Sequence, residues 1–191
     1  MSDWEIRPLD PSTWEAFAAL VVKHNGIFGG CWCTYFHQGM CEGLGESYEG
    51  NRAAKERLVR AGQTHAALVF DGDAAVGWAE FGSPDELPNI HHRKQYDAVG
   101  DPPPDYRITC IFVDRDYRRR GLVSVALQGA LDLIATAGGG VVEGYPHDTA
   151  GQKRKSSSFL YNGTRAVYER AGFTFVRTKG KGNTVMRTVV G

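Results

Sequence analysis

The sequence predicts an α/β fold, a sheet of about seven strands with helices on both faces. The first supporting observation is a buried strand over 107–113, followed by a sharp turn and an amphipathic helix that begins at Gly121. A short apolar strand over 141–145 comes next, and this strand-helix-strand order predicts a parallel crossover. The remaining sheet pairs are predicted as hairpins, 64–70 with 74–82 and 173–178 with 183–190.

The other elements follow from local signals. Residues 4–8 alternate weakly and are predicted as the first strand. The first helix has Asp10 or the Ser12/Glu15 pair as its cap and ends at Asn25-Gly26. Two more helices are predicted, over 51–61 with Asn51 as the cap and over 164–171. The proline-rich segment 84–105 is interpreted as a surface loop in which His91-His92 is a solvated pair.

Length and composition restrict the class of protein. The chain has 191 residues, which suffices for one full core, so a single domain over 1–191 is expected. Acidic and basic residues number 22 each, which argues against a protein that coats nucleic acid, although it does not exclude a local basic patch at 153–155. There is no signal-peptide pattern and no apolar run of membrane-spanning length. Four cysteines do not make a disulfide framework, so reduced thiols are expected. Together with the lack of a signal-peptide or membrane-spanning pattern, this predicts a soluble, cytoplasmic protein. We expect it to be a monomer or homodimer.

The turn after the central strand carries the clearest functional signal. Residues 106–123 read YRITCIFVDRDYRRRGLV, so three arginines precede the glycine at which the helix begins. Cations are disfavoured at a helix N-terminus, because the dipole there is positive and the leading N–H groups lack partners. A phosphate bound by those N–H groups and by Arg118, Arg119 and Arg120 would remove the conflict. The turn is therefore predicted to bind an anion, and a solvated run of arginines is the weaker alternative.

Three features together resemble the GNAT superfamily of acetyl-coenzyme A dependent acyltransferases. Arg118-x-x-Gly121-x-Val123 is similar to the Gln/Arg-x-x-Gly-x-Gly/Ala pattern after the family's central strand, with Val123 in place of Gly or Ala. The segment YERAGF, from Tyr168 to Phe173, is similar to the family's Tyr-x-x-x-Gly-Phe near the carboxyl end. The order of predicted strands and helices also follows that fold over nearly the whole chain.

The resemblance implies a mixed, mostly antiparallel sheet in which strands 4 and 5 splay apart. It implies that the pyrophosphate of acetyl-coenzyme A binds the N–H groups of 119–124. It also implies that the pantetheine arm pairs with the free edge of the strand in the segment 106–124, which ends at Phe112 and Val113. Tyr168 matches the family tyrosine and is the implied general acid, with a core aromatic as the alternative reading. The implied cofactor residues are Phe112, Val113, Arg118, Arg119, Arg120, Gly121, Leu122, Val123 and Ser124.

The general base has to be sought elsewhere, because Arg107 occupies the position of the glutamate base in histone-type members. Glu80 is the first candidate: burial of a carboxylate in the apolar strand 76–81 is expected to raise its pKa and to favour a proton-handling role. An ion pair between Glu80 and Arg107 is the alternative. A water-relayed base, or none, also stays open, and the substitute side chains are Glu143, Asp114 and His37.

The irregular segment 26–50 is rich in glycine and aromatic residues, which is uncommon in a compact domain unless the segment packs over a site. By the resemblance, a loop between the first two helices forms the acceptor site. The predicted pocket residues are Trp32, Tyr35, Phe36 and His37, and they favour an acceptor with an apolar or planar part. Thiol-rich packing is preferred to a metal site, because the spacing of Cys31, Cys33, His37 and Cys41 does not fit the common zinc patterns.

These features predict an N-acetyltransferase. It would move an acetyl group from acetyl-coenzyme A to a primary amine of a small molecule or peptide, without a metal and without a nucleic-acid or membrane partner. The alternative is a non-catalytic acyl-coenzyme A sensor in which the same fold binds the cofactor without turnover.

Overall fold

The central strand of the sheet, β4, spans Tyr106–Val113 and is buried except at its two ends. A computed structural model describes the chain over residues 4–40, 44–149 and 160–191. In these ranges the predicted order of strands and helices is confirmed, with the short helix α3 as an addition. The elements are β1 Glu5–Pro8, α1 Trp14–Lys23, α2 Tyr48–Arg60, β2 His65–Asp71, β3 Ala74–Gly82, α3 Arg93–Asp97, β4 Tyr106–Val113, α4 Leu122–Thr136, β5 Gly140–Gly144, α5 Arg165–Arg170, β6 Thr174–Lys179 and β7 Asn183–Val190.

The strands form one mixed sheet in the order β1-β2-β3-β4-β5-β7-β6. Within the described residues, β4 and β5 are parallel and the other neighbouring strands are antiparallel. The pairing of β4 with β5 ends at Ile108, opposite Gly144, whereas β4 continues to Val113. The predicted splay between strands 4 and 5 is therefore confirmed, and it leaves one edge of β4 without a strand partner.

A β-bulge in β4 lies where the splay begins. Glu80 of β3 is opposite Cys110 and Phe81 is opposite Ile108, so Thr109 is the extra residue in β4. A bulge bends the strand that carries it and increases the local twist. The second half of β4 accordingly leaves β5 directly after the bulge.

Helices cover both faces of the sheet, as predicted. On one face, Phe17 of α1 packs edge-on against Trp78 of β3 at 5.0 Å, and Trp78 stacks on Phe112 of β4 at 4.7 Å between ring centroids. On the other face, the buried side of α4 packs against β2, β3 and β4 with Ala126, Leu127, Ala130 and Ile134. Both faces of β4 are therefore fixed by packing, and its splayed edge is the part left for another group.

The start of α2 differs from the prediction. The helix begins at Tyr48 because Ser47 caps it, with its hydroxyl accepting a hydrogen bond from the Gly50 amide at 2.9 Å. Asn51, predicted as the cap, is buried in the first turn and bonds backward to Gly30 O at 2.9 Å and Gly45 N at 2.6 Å. Its amide thus fastens the preceding irregular segment to the helix.

The interpretation of 84–105 as a surface loop is wrong in part. The segment contains α3, and it buries Leu87 and Ile90 completely or almost so, with exposures of 0% and 2%. The buried guanidinium of Arg107 donates to Leu87 O at 2.8 Å, which fastens the segment to β4. Leu and Ile spaced by prolines gave no helical or strand period, so their burial could not be predicted from periodicity.

Candidate active site

The turn between β4 and α4 is held against the end of α1. The carboxylate of Asp114 accepts hydrogen bonds from Lys23 Nζ at 2.7 Å and from the Asp116 amide at 3.0 Å. Burial on its own would raise the pKa of Asp114, but these two donors outweigh it, and the pKa is lowered. Asp114 is therefore a fixed anion, and it sets the position from which the following arginines begin.

The backbone of the turn adopts left-handed conformations at Arg119, with φ 66°, and at Gly121, with φ 80°. For arginine this conformation costs about 1–2 kcal/mol, and such strain is concentrated at functional sites. Left-handed residues in a turn can point neighbouring N–H groups into one concavity that binds anions. The strained arginine thus stands where the pyrophosphate was predicted.

The first turn of α4 supplies free donors. The amides of Leu122 and Val123 have no carbonyl one turn earlier in the helix to which they could bond. The Ser124 amide, in contrast, donates to Gly121 O at 2.9 Å. The predicted donor segment 119–124 is therefore shorter at its carboxyl end than expected.

A cleft of about 490 Å³, which we call the cofactor cleft, runs from this turn along β4. Its walls include every predicted cofactor residue except Arg120, whose guanidinium lies over the Tyr117 ring at 5.1 Å. Residues that the sequence did not single out also line it, among them His24 and Phe28 after α1. A helix end with free amides and an unpaired strand edge therefore meet in one cavity.

The free edge of β4 is narrower than predicted. The Asp114 amide donates to Val76 O at 2.9 Å, so Phe112, two residues earlier, also directs its peptide groups toward β3. Val113 and Ile111 face the other way, and the Ile111 amide donates to Tyr161 O at 2.6 Å. The peptide groups of Val113 are therefore those exposed toward the cleft, while Phe112 contributes its ring.

Tyr168 on α5 lies directly beneath the wall of the cofactor cleft. Its ring packs edge-on against Phe173 at 4.8 Å and so close to Gly144 that a Cβ there would lie 2.1 Å from Cε1. A Cβ on Gly163, a residue of the cleft wall, would lie 3.6 Å from Cε2. Among the described residues, the buried Tyr168 hydroxyl has no hydrogen-bond partner. Burial, and after it the Cys110 thiol, raise the pKa of Tyr168, so the hydroxyl is protonated at neutral pH.

Glu80 belongs to a buried ionic network. Its Oε1 lies 2.7 Å from Lys55 Nζ and 3.1 Å from His37 Nε2, and its Oε2 accepts a hydrogen bond from the Thr109 hydroxyl at 2.8 Å. Burial alone would raise the pKa of Glu80, but the charge of Lys55 and the contact with His37 outweigh it and lower the pKa to about 2. The expectation of a raised pKa is wrong, and the ion-pair partner is Lys55 rather than Arg107.

The side chains considered as substitutes for Glu80 are also engaged. His37 Nδ1 donates to Glu86 O at 2.8 Å, since a carbonyl only accepts, and its Nε2 faces Glu80 Oε1 at 3.1 Å. Glu143 is buried and accepts hydrogen bonds from Tyr145 at 2.8 Å and from Arg187 at 2.6 Å. Neither residue lines the cofactor cleft. Their geometry is that of fixed structural groups rather than of a base open to an incoming amine.

The predicted acceptor loop is strained and anchored. Its described parts, 26–40 and 44–50, contain several residues with side chains in left-handed conformations, with φ of 59° at Ile27, 42° at Phe28 and 51° at Trp32. Such conformations are rare outside glycine, above all for a β-branched residue. Trp32 packs against Trp14 at 6.1 Å, and its ring is fully buried in the core. The loop is thus held in a defined shape by its own core contacts.

A second cavity, of about 560 Å³, lies under this loop, and we call it the aromatic cavity. Of the predicted pocket residues, Tyr35 and Phe36 line it, whereas Trp32 lies in the core and His37 in the network of Glu80. Phe28 lines this cavity and the cofactor cleft alike. The two cavities are therefore adjacent, and the acceptor-site prediction holds as a proposal for Tyr35 and Phe36 alone.

Comparison with known proteins identifies the family. The sequence model of the acetyltransferase (GNAT) family matches residues 32–173. The chain belongs to this family. Its members are acyltransferase enzymes that use acetyl-coenzyme A. No curated protein matches the chain in sequence.

Solved structures share the fold of this GNAT protein. The histone acetyltransferase HPA2 and related acetyltransferase of Corynebacterium glutamicum is 15% identical, with a TM-score of 0.57 over 100% of this chain and 98% of that chain. The PaiA N-acetyltransferase of Thermoplasma acidophilum, in complex with coenzyme A, is 14% identical, with a TM-score of 0.53 over 98% of this chain and 99% of that chain. A GNAT acetyltransferase of Streptococcus pneumoniae is 12% identical, with a TM-score of 0.52 over 99% and 100%. At these identities the likeness shows the fold.

The described residues contain neither a membrane-spanning helix nor a cluster of metal ligands. In those ranges no helix of the GNAT protein combines the length and apolar character that crossing a bilayer requires. Nor do three or more His, Cys, Asp or Glu side chains of the described segments come together as metal ligands. Cys41 of the cysteine loop and the basic segment 153–155 lie outside the described residues.

Several site residues of the GNAT protein were not singled out from the sequence. His91, interpreted as solvated, is half-buried; its ring stacks on Tyr35 at 4.4 Å, and its Nδ1 bonds to the Tyr35 hydroxyl at 3.0 Å. Tyr161 lines the aromatic cavity and accepts a hydrogen bond from β4 through its carbonyl. His24 had no signal beyond its place at the end of a helix. These positions are far apart in sequence, and only folding brings them together.

Proposed function

We propose that this protein, acting as a single domain over 1–191, transfers the acetyl group of acetyl-coenzyme A to a primary amine of a small molecule or peptide. The observation that carries the proposal is the cofactor cleft, where a strained arginine turn, the free amides of α4 and the open edge of β4 meet in one cavity, with the Tyr168 ring packed behind its wall at Gly163. The coenzyme A bound by the Thermoplasma acidophilum protein of the same fold gives further support.

The turn and the strand edge fit the two ends of the cofactor. The amides of Leu122 and Val123, with Arg118 and Arg119, hold the pyrophosphate, because a helix N-terminus and guanidinium groups both favour phosphate oxygens. The peptide groups of Val113 bind the pantetheine arm. Acetyl-coenzyme A supplies a thioester, and transfer forms a C–N bond to the amine and breaks the C–S bond, leaving a thiolate that takes a proton.

Tyr168 is the proposed donor of that proton. Its hydroxyl is already protonated and is not committed to another acceptor in the described part of the chain. A hydrogen bond to the departing thiolate would give this buried hydroxyl the partner it lacks, and the bond would be strongest as the thiolate forms.

His24 is the proposed acceptor of the proton that the amine loses. The imidazole lines the cofactor cleft, lies 5.0 Å from the Phe112 ring and has a side chain only 10% exposed. Its Nε2 is 3.2 Å from Asp114 Oδ1 without a hydrogen bond between them, so the carboxylate acts on the imidazole through its charge. Glu80 is not proposed as the base, because its pKa is low and its carboxylate is already engaged by Lys55 and Thr109.

We expect His24→Gln to lower kcat/KM about 10²-fold or more, because the amine then lacks a side chain that accepts its proton. The measurement is steady-state thiol release from acetyl-coenzyme A. Asp114→Asn, which removes the neighbouring negative charge and the ion pair with Lys23, should cause a smaller loss. An unchanged kcat/KM in His24→Gln would exclude this residue as the base.

The proposed function itself is tested by release of free thiol from acetyl-coenzyme A in the presence of primary amines, together with coenzyme A binding by calorimetry. We expect Arg118→Ala to weaken coenzyme A binding about 10- to 100-fold, since a charge-assisted hydrogen bond contributes about 1.5–3 kcal/mol. Arg120→Ala is the matched control: Arg120 lies in the same turn but outside the cleft, so its affinity should stay within about twofold. Binding without thiol release for any amine would contradict transfer and would fit a sensor.

A further inference from the structure

The aromatic cavity is built from rings that come from distant parts of the chain. Tyr35 and His91 stack at 4.4 Å with an interplanar angle of 16°, and Phe36 stands edge-on to His91 at 5.8 Å. Tyr161 lies 6.1 Å from Phe36 and 5.3 Å from His91, and Phe28 packs edge-on against Tyr161 at 6.5 Å. These walls offer both faces and edges of aromatic rings to whatever occupies the cavity.

The polar groups in the walls are largely engaged with one another. The Asn51 amide bonds to Gly30 O at 2.9 Å and to Gly45 N at 2.6 Å, and the Thr34 hydroxyl donates to Cys31 O at 2.7 Å. The Tyr35 hydroxyl bonds to His91 Nδ1 at 3.0 Å. Because these groups already have partners, a ligand rich in hydroxyl or charged groups would lose its hydration without replacement bonds.

The walls also carry no net charge at neutral pH, as far as the described lining residues are concerned. Neither acidic nor basic side chains other than His91 are among them. Burial, and then Lys179, lower the pKa of His91, so its ring is neutral. Burial, and then Cys33, raise the pKa of Cys31, so that group is a thiol. Among the described lining residues, a ligand therefore finds no carboxylate to pair with a permanent positive charge.

The position of the cavity sets the orientation of its ligand. Phe28 lines both cavities, and Cys110 and Ile111, neighbours on β4, line the aromatic cavity and the cofactor cleft respectively. A ligand in the aromatic cavity would therefore reach the thioester past Phe28 and Tyr161. Its reactive group must stand at that end and its body in the cavity.

We propose, on the basis of the function inferred above, that the acceptor is a monoamine with a flat, uncharged body, an arylalkylamine in chemical class. The aromatic ring lies against the cluster formed by Tyr35, Phe36, His91 and Tyr161, and the amine projects past Phe28 toward β4. Ring-to-ring contacts and removal of apolar surface from water provide the binding free energy. A second ammonium group would be desolvated without a carboxylate partner among the described lining residues, so we expect polyamines to be poorer acceptors.

The test compares 2-phenylethylamine, ethanolamine and spermidine as acceptors in thiol release from acetyl-coenzyme A by the full-length protein. We expect kcat/KM for 2-phenylethylamine to exceed the other two about 10- to 100-fold, because burial of an aromatic side group contributes about 1.5–3 kcal/mol. Equal or better turnover of ethanolamine or spermidine would overturn the acceptor class and leave the transfer function intact. Absence of turnover with all three, in protein that binds coenzyme A, would overturn both.

A pair of variants at Cys31 shows whether the cavity itself sets this preference. Cys31→Asp places a carboxylate in the wall, and we expect it to raise the ratio of spermidine to 2-phenylethylamine turnover about tenfold, through the new charge pair. Cys31→Asn has nearly the same size and no charge, and it should keep the wild-type ratio. An identical ratio in the two variants would overturn the assignment of the acceptor to this cavity.

Discussion

Tyr168→Phe is expected to lower kcat about 10²- to 10⁴-fold, the usual contribution of a general acid, while the free energy of unfolding stays the same or rises. The expected effect on the free energy of unfolding follows from the structure. In the described chain the buried hydroxyl has no partner, so its removal takes away a polar group that was desolvated without compensation. The ring contacts with Phe173 and Gly144 remain in the variant. The measurements are kcat from thiol release and urea denaturation of the same preparation.

Tyr145→Phe is the matched control. Tyr145 is also a fully buried tyrosine, but its hydroxyl donates to Glu143 Oε1 at 2.8 Å, and it lines neither the cofactor cleft nor the aromatic cavity. Loss of a hydrogen bond to a charged group costs about 1.5–3 kcal/mol, so this variant should be less stable and should keep its kcat while folded. A Tyr168→Phe protein with normal kcat, or one destabilised like Tyr145→Phe, would contradict the assignment of Tyr168 as the acid.

Lys55→Met is expected to destabilise the fold by about 3–5 kcal/mol, the usual cost of leaving a buried charge without its partner. The Lys55 ammonium, whose side chain is 1% exposed, donates to Glu80 at 2.7 Å, to Thr64 at 2.8 Å and to Cys33 O at 3.2 Å. Methionine fills much of the same volume but leaves the Glu80 carboxylate without a counter-ion. The measurement is the free energy of unfolding in urea. The double variant Lys55→Met/Glu80→Gln should recover part of the loss, and strict additivity of the two changes would contradict the pairing.

Two further comparisons isolate this network. Arg60→Met, on the exposed side of α2, removes the solvent-exposed pair with Glu56 and should cost less than about 1 kcal/mol.

The second comparison uses pH. The pKa of Glu80 is lowered from 4.5 to about 2, so its stabilising contribution is complete above pH 4.5 and is lost as the pH falls toward 2. Glu80→Gln should therefore be less stable than the wild type at pH 7 and lose less stability between pH 4.5 and 2. Parallel curves for the two proteins would show that Glu80 does not ionise in the way described.

The proposed cofactor site could be inferred from the sequence because the residues that suggest it are close together in the chain. Arg118, Arg119 and Gly121 are consecutive or nearly so, and the conflict between arginines and a helix N-terminus is visible in the sequence alone. The left-handed conformation of Arg119 was not predicted, since arginine carries no signal for it. Arg120 and Ser124 were included in the anion site by proximity in sequence, and the structure turns one toward Tyr117 and engages the amide of the other.

The proton-transfer half could not be predicted in the same way. The expectation for Glu80 was correct about burial and wrong about the sign of the pKa shift. The lowered pKa is due to the ion pair with Lys55, which lies on helix α2, 25 residues away in sequence from Glu80 on β3. His24 and Asp114 are likewise distant in sequence and meet only because α1 ends beside the turn after β4. An apolar strand pattern predicts that a side chain is buried, but it does not predict which residue that side chain pairs with.

By itself the sequence determined the order of strands and helices, the splayed α/β sheet implied by its family pattern, and the arginine turn at which phosphate binding is proposed. These features depend on hydrophobic period, capping residues and short motifs, which act over a few neighbouring residues. Only the tertiary structure decided which side chains share a cavity: it buried Trp32 and His37, placed Tyr161 against β4, and stacked His91 on Tyr35. The physical reason is that pKa shifts, cavity walls and acceptor preference depend on contacts between distant segments, and those contacts exist only once the chain has folded.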